Sequence, residues 1–245
     1  MSELADWLTR VERDQTHPNQ RPKNAATIIL IDRSQPILQV LLGRRHQSHK
    51  FLPGKFVFPG GRVEPQDREV MIASPLDRQV EAHLLRRLKR PSPAAARAFA
   101  VAAIRELYEE TGLLLGKPHD PAGNTWTAEA LQGAFVEGRI KPHLSDLHFI
   151  ARAITPPRRP RRFDTRFFAA DAQSIVHRLE GVISPEAELV ELVWLPIAQA
   201  RELDVSTITK VVLIELEARI ANGFGHGLPV PFYRMMHRRF VRETL

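Results

Sequence analysis

Cysteine is missing altogether from the 245 residues. Its absence excludes disulfide staples, thiolate-held metals and cysteine nucleophiles, and it suits a reducing compartment. Also missing is any apolar run approaching the roughly 18 residues that a membrane-spanning helix needs. The opening stretch, MSELADWLTRVERD, mixes charges and lacks the apolar core of a secretion signal. The expectation is a cytoplasmic protein that does not engage a membrane. No internal repeat and no long low-complexity segment interrupts the chain. The ten histidines show no metal-ligand spacing: His46, His49, His143 and His148 are scattered. Serines such as Ser145 have no nucleophile-elbow context.

What is present is ordinary in bulk and basic in balance. Hydrophobic residues make up 43%, enough to bury a real core, and charged residues 26%. Lys plus Arg is 35 against 28 for Asp plus Glu, so the formal charge is 35 − 28 = +7. A basic balance favours anionic partners, whether nucleotide, coenzyme, nucleic acid or membrane surface, without choosing among them.

Strands are expected at Ala25–Asp32 and Ile37–Gly43, joined by a turn over Arg33–Pro36, and at Phe56–Phe58, stopped by Pro59-Gly60-Gly61. Ser74-Pro75 reads as an N-cap followed by proline at the first helical position, with Leu76, Val80, Leu84 and Leu88 at helical spacing. That segment ends in the basic run Arg86-Arg87-Leu88-Lys89-Arg90. Pro91-Ser92-Pro93 breaks it and opens a second helix, Pro93 to Thr111, with Gly112 as a left-handed stop. Further on come a short helix over Ala128–Glu137, strands at Leu147–Ile154, Phe163–Ala170 and Leu189–Leu195, a helix after Pro196, and another over Ser206–Ala221. The last twenty or so residues are basic and partly aromatic, and the pattern does not place them. Strands mixed with helices in this order give an α/β or α+β domain.

The most informative stretch is Ala102 to Leu113. On a helix Glu106, Glu109 and Glu110 stand at i, i+3 and i+4 and project from one face. Three like charges so placed weaken a helix by about a few tenths of a kcal/mol per pair. A divalent cation removes that penalty, and hard cations such as Mg²⁺ favour carboxylate oxygens. Taken alone, the three glutamates fit a solvated acidic face paired with Arg105 better than a metal site. Upstream, between a strand and this helix, lies Pro59-Gly60-Gly61-Arg62-Val63-Glu64-Pro65.

With these two segments together the sequence resembles the Nudix hydrolases. Their signature reads G-x5-E-x7-R-E-U-x-E-E-x-G-U, U being aliphatic. Arg105-Glu106-Leu107-Tyr108-Glu109-Glu110-Thr111-Gly112-Leu113 matches every fixed position of its second half, and Gly61 takes the first glycine. One departure stands out. The family sets that glycine fourteen positions before the arginine, whereas here the separation is 105 − 61 = 44, so about 30 residues are inserted. Counted from Gly61 the first glutamate of the signature falls on Asp67; counted back from Arg105 it falls on Arg97. Asp67 is the choice, because that carboxylate serves to pair with the arginine; Glu64 is its rival. A split motif of this kind, with Ile154-Thr155-Pro156-Pro157 and Arg161-Arg162-Phe163-Asp164-Thr165-Arg166-Phe167-Phe168 downstream, is similar to peroxisomal coenzyme A diphosphatase-like enzymes and bacterial relatives.

The resemblance implies a Nudix fold: a mixed β-sheet sandwiched between helices, with a helical insertion within the motif. It is expected as one domain over 1–245, the insertion at about 68–97 and a basic extension at about 222–245. It implies Mg²⁺ or Mn²⁺ held by Glu106, Glu109 and Glu110, with the Gly60 or Gly61 carbonyl adding a ligand. Arg105 would orient a glutamate, and Glu109 or Glu110 would help deprotonate water. The general base is expected from a later loop; Glu186, Glu188 and Glu191 are the candidates, and Glu188 is favoured. Arg44, Arg45, Arg161 and Arg162 are candidates for binding substrate phosphates through guanidinium forks. Arg166, inside a strand, suits a structural salt bridge with Asp164 or a glutamate.

The substrate expected is a small diphosphate, coenzyme A or an acyl-coenzyme A first, with ADP-ribose or another nucleotide derivative as competitor. A reading of another class is a silent Nudix module that binds a nucleotide or RNA; the intact carboxylates argue against it. The amphipathic insert helix reads as a lid or as a contact in a homodimer.

Overall fold

The computed structural model describes residues 2–49, 51–118 and 140–245. Its elements are α1 (Glu3–Arg10), β1 (Lys23–Asp32), β2 (Gln39–Arg45), β3 (Phe56–Val57), β4 (Gly60–Arg62), a 3₁₀ turn (Pro65–Arg68), α2 (Arg78–Leu85) and α3 (Pro93–Thr111). There follow β5 (Leu113–Leu115), β6 (Lys117–Pro118), β7 (Ile140–Lys141), β8 (His148–Ile154), β9 (Phe163–Asp171), β10 (Ile175–Arg178) and β11 (Leu189–Pro196). The chain closes with α4 (Ile197–Glu202), α5 (Thr207–Ala221), β12 (Pro231–Met236) and β13 (Arg239–Thr244).

A mixed sheet organises the molecule. Its strand order is β11-β2-β1-β9-β8-β12-β13, with β3 added to β2 and β4 to β1. The β1–β9 and β8–β12 pairs are parallel and the others antiparallel. Strand alternation divides the apolar residues of β1 between two layers. Ile28 and Leu30 pack with Ile104 and Leu107 of α3; Ile29 and Ile31 pack with Val212 and Leu216 of α5 and Leu8 of α1. The result is a sheet sandwiched between helices. The last residues, which the sequence pattern left unplaced, form the β12–β13 hairpin and complete the sheet beyond β8. Helix α1 covers that edge, where Thr9 Oγ1 accepts a hydrogen bond from the Phe240 amide.

Helix α3 begins and ends on the residues expected. Ser92 caps it by accepting from the Ala95 amide, Pro93 opens it, and Gly112 stops it at φ 74°. The insert helix is different. It starts at Asp77, whose side chain accepts from the Gln79 and Val80 amides, not at Ser74-Pro75. Ser74 Oγ instead accepts from the Leu144 and Ser145 amides, so its capping capacity is used to pin a bridge beside His143. The helix also stops at Leu85, before the basic run: Arg86 leaves the helical region and Arg87 has φ 58°. The helix expected at Ala128–Glu137 lies outside the described residues.

Between β8 and β9 a charged cluster sits beneath α3. Arg152 grips Asp164 with two bonds of 2.8 and 2.7 Å, and the wholly buried Arg166 lies 3.1 Å from the same aspartate and 3.9 Å over the Phe99 ring. Burial pushes the Arg166 guanidinium down to about 9.

The apolar stripe of α2 is spent within the molecule. Val80 and Leu84 are fully buried against the core that α3 and the sheet share, so this stripe is not free to face a second copy. Leu84→Ala is therefore expected to lower the unfolding free energy by about 2–5 kcal/mol, as for other buried leucines, read from urea denaturation. A change below about 0.5 kcal/mol would show the insert to be a loosely attached lid.

Candidate active site

Two chain segments 44 residues apart (105 − 61) meet at the end of α3. The first, Pro59–Arg62, is stitched to β1: Ile28 donates to the Pro59 carbonyl at 3.0 Å, and Gly60 and Gly61 lie opposite Thr27 and Ala26. Gly60 has φ 152°, and a Cβ there would sit 2.5 Å from the Ala26 carbonyl oxygen. At Gly61 a Cβ would fall 2.3 Å from the Glu106 carboxylate. Gly60 is required by its positive φ and its approach to the backbone of β1, while Gly61 leaves the space that the Glu106 carboxylate occupies.

Arg105 joins the halves. Its Nε donates to Asp67 Oδ1 at 2.9 Å and its Nη2 to Asp67 Oδ2 at 3.3 Å. Its Nη1 donates to Glu106 and Glu109, each at 2.9 Å, and Nη2 also reaches the Arg62 carbonyl at 2.9 Å. Asp67 is entirely buried, and its Oδ2 also accepts from the Glu64 amide at 2.7 Å. Thus Asp67, not Glu64, is the partner of the signature arginine. Burial alone would pull the Arg105 pKa down; the Asp67 hydrogen bond and the charges of Glu106, Asp67 and Glu109 override it and hold the group above the ordinary arginine range.

The three glutamates of α3 part company. Glu110 turns inward, 7% exposed, and accepts from the Gly60 amide at 2.9 Å. Burial pushes its pKa up to about 8, against the pull of the Gly60 amide and Arg45, with Glu188 and Glu106 adding to the rise. Glu106 lies against Gly61; burial raises its pKa, Arg105 opposes this, and Glu109 and Glu188 add to it. Glu109 is half exposed and bonded to Arg105.

Glu188 belongs to the same neighbourhood, since its charge acts on both Glu106 and Glu110. Arg45 Nη1 donates to Glu188 Oε1 at 2.6 Å, and Arg45 Nη2 lies 3.9 Å from Glu110 Oε1. Strand alternation separates Arg44 from it. Leu41 packs toward α3, whereas Val40 and Leu42 pack toward α5; Arg45 shares the first face and Arg44 the second. Arg44 pairs with Glu191 at 2.7 Å there, away from the carboxylates of α3. Glu186 is exposed.

The structure does not bring the proline-loop arginines to the carboxylates. Arg162 donates to the Thr155 carbonyl, Asn19 and the Gln20 carbonyl, and Arg159 to the Asp14 carbonyl; Arg161 is exposed. This loop laces residues 14–20 to the start of β9, a role that no local sequence signal announced. A hollow of about 590 Å³ lies elsewhere, between the end of α1 and the β12–β13 hairpin, lined by Arg13, Gln15, Met235 and Arg238 among others.

Among the described residues no three acidic or histidine side chains already surround one point; Glu106 and Glu109 share the Arg105 Nη1 instead. The donor set nonetheless fits a hard divalent cation. Its members are carboxylate oxygens, with Glu110 buried and Glu106 half-buried, and burial raises the pKa of both.

No protein-family model matches the chain. A Caenorhabditis elegans protein provisionally named nudix hydrolase 7 is 27% identical over 154 residues, which is 60% of this chain and 43% of that protein. The chain thus spans less than half of that relative's length. The crystal structure of a NUDIX hydrolase from Alicyclobacillus acidocaldarius superposes with a TM-score of 0.60 at 29% identity, covering 81% of this chain and 92% of that one. The chain has the Nudix fold. Both relatives are described as Nudix hydrolases, and in this chain the segments around Gly61 and Arg105 come together in space across the residues that separate them.

Two substitutions test this geometry. Asp67→Asn removes the buried partner of Arg105 and is expected to cost about 3–5 kcal/mol in urea unfolding; a cost under about 1 kcal/mol would mean the pair behaves as a surface contact. Gly61→Ala drives a methyl group into the Glu106 carboxylate. It should weaken Mg²⁺ or Mn²⁺ binding about tenfold or more in calorimetric titration, and unaltered binding would remove Gly61 from the site.

Proposed function

We propose that this chain is a metal-dependent Nudix hydrolase that cleaves a diphosphate linkage in a nucleoside diphosphate derivative, coenzyme A or an acyl-coenzyme A being the first substrate to test. The observation that carries the reading is the guanidinium of Arg105. It binds Asp67 from one half of the split signature and Glu106 and Glu109 from the other, beside Glu110 on the Gly60 amide. A silent binding module would have no need of so many carboxylates held against one another at a cost in burial.

A diphosphate presents concentrated negative charge, which opposes attack by water. Mg²⁺ or Mn²⁺, when bound, neutralises that charge and makes water more acidic. Glu106, Glu109 and Glu110 would hold the cation, with the Gly61 backbone beside them. Arg105 fixes the directions of Glu106 and Glu109. Glu188, facing this cluster from the loop before β11, accepts the proton of the attacking water. Arg161, exposed in the loop before β9 and apart from these carboxylates, is left to meet a more distant phosphate of the substrate, with Arg162 holding the backbone beside it. The finer substrate assignment rests on likeness in the downstream Pro/Arg segment and on the +7 charge, which suits a polyanionic coenzyme. On this reading the chain belongs with the insertion-bearing, coenzyme A diphosphatase-like subgroup. ADP-ribose and dinucleoside polyphosphates are the competing substrates, and the molecule works as a cytoplasmic enzyme.

Purified protein with Mg²⁺ or Mn²⁺ should release two phosphate-bearing products from coenzyme A, followed by chromatography, and chelation should stop the reaction. Rapid hydrolysis of ADP-ribose with none of coenzyme A would replace the substrate and keep the chemistry. Glu109→Gln should lower turnover by about a hundredfold or more with an unchanged thermal midpoint. Full turnover by that variant would remove Glu109 from the metal site.

A further inference from the structure

We infer that Arg45 is a positioning residue that holds Glu188 over the carboxylates of α3, and not a contact for substrate phosphate. The inference builds on the diphosphatase reading but stands on its own geometry.

Arg45 ends β2 on the face that looks toward α3, and its side chain is only 13% exposed. Its guanidinium is already engaged. Nη1 donates to Glu188 Oε1 at 2.6 Å and lies 3.3 Å from His49 Nδ1, while Nη2 faces Glu110 at 3.9 Å. Nε is buried without a hydrogen-bond partner. A charge-assisted bond this short is among the stronger side-chain interactions. The backbone repeats the same connection, since the His46 amide donates to the Glu188 carbonyl at 3.0 Å. Glu188 is therefore tied twice to the end of β2, through its carbonyl and through its carboxylate.

Charge explains why the tie is needed. Glu188 is 44% exposed and sits among Glu106 and Glu110, which it repels. Arg45 bonds to it directly, and His49 Nδ1 lies 3.9 Å from the same carboxylate oxygen. Without Arg45, three carboxylates face one another and Glu188 is free to turn into solvent. Arg44 supplies the contrast. It pairs with Glu191 at 2.7 Å, but on the other face of the sheet and with both side chains 43% exposed. The two neighbouring arginines thus do different things, and only Arg45 is shielded enough to fix a geometry. To grip a phosphate it would have to leave Glu188 and its cover.

The test is a double-mutant cycle on the full chain, using Arg45→Gln, Arg45→Lys, Glu188→Gln and the Arg45→Gln/Glu188→Gln pair, each first checked by thermal unfolding. With the best-hydrolysed diphosphate and Mg²⁺, Arg45→Gln should lower kcat by about 10- to 100-fold with KM within about twofold. Arg45→Lys should recover part of kcat. The double variant should be no slower than Glu188→Gln alone, because Arg45 acts through that carboxylate. A raised KM with kcat retained, or losses that multiply in the double variant, would overturn the inference. If Arg45→Gln fails to fold, Arg45→Lys takes its place in the cycle.

A second measurement needs no turnover. In metal-free protein Arg45→Gln, or Arg45→Lys to a lesser degree, should speed hydrogen exchange at the His46 amide by about tenfold. Unchanged exchange would also overturn the inference. A wild-type protein that hydrolyses no diphosphate would sink the proposed function alone, since His46 exchange still decides the placement of Glu188.

Discussion

One guanidinium holds the site together. Arg105 has five N–H donors in a rigid plane, and all five are used: two on Asp67, one each on Glu106 and Glu109, and one on the Arg62 carbonyl. These acceptors come from a strand, a 3₁₀ turn and a helix. A lysine, with a point charge and three donors, has no comparable way to fix three elements in one plane. The placement of the glycine bend against α3, and through it the direction of each glutamate, follows from this one side chain.

The electrostatics around it are lopsided. Arg105 finds more negative charge than it needs, while Glu110 is buried and Glu106 half-buried with only part of a positive charge each. Their pKa values move upward for that reason, Glu110 to about 8. Such unfavourable burial is tolerated in folded proteins chiefly where a ligand or ion repays it. The Gly60 amide and Arg45 soften the cost without cancelling it. The sheet contributes by its alternation, which sends Arg45 to this face and Arg44 to the other.

Much of this was legible from residue order, because the informative signals are local. The periodicity of β1 and the Ser-Pro start and glycine stop of α3 each concern a few neighbouring residues. So does the i, i+3, i+4 spacing of the glutamates; the structure keeps the first two patterns, while the carboxylates diverge, Glu110 inward onto the Gly60 amide and Glu109 half exposed. The Asp67–Arg105 pair was reachable only through the resemblance, since the two lie 38 positions apart (105 − 67). Ser74-Pro75 misled because a serine hydroxyl that can cap a helix can equally cap a bridge, and the strand-like partner at residues 143–145 lies far away in sequence. The β12–β13 hairpin was hidden for a similar reason: Arg234 pairs with Glu243 and Arg242 with Glu215 of α5, and its place in the sheet depends on β8. The arginines of the proline loop read as a phosphate site, yet Arg159 and Arg162 are consumed by carbonyls of an N-terminal segment that charge counting does not see.

The interrupted signature has a bearing on how its two halves can be joined. Because Arg105–Asp67 and Glu110–Gly60 clamp the two halves independently of what connects them, the connecting segment carries no geometric duty at the site. Stretching that connection from the family's fourteen positions to 44 costs only about 1 kcal/mol of loop-closure entropy. The buried face of α2 outweighs so small a charge. The link between the two halves can therefore be long without loosening the site, provided that α2 stays seated in the core.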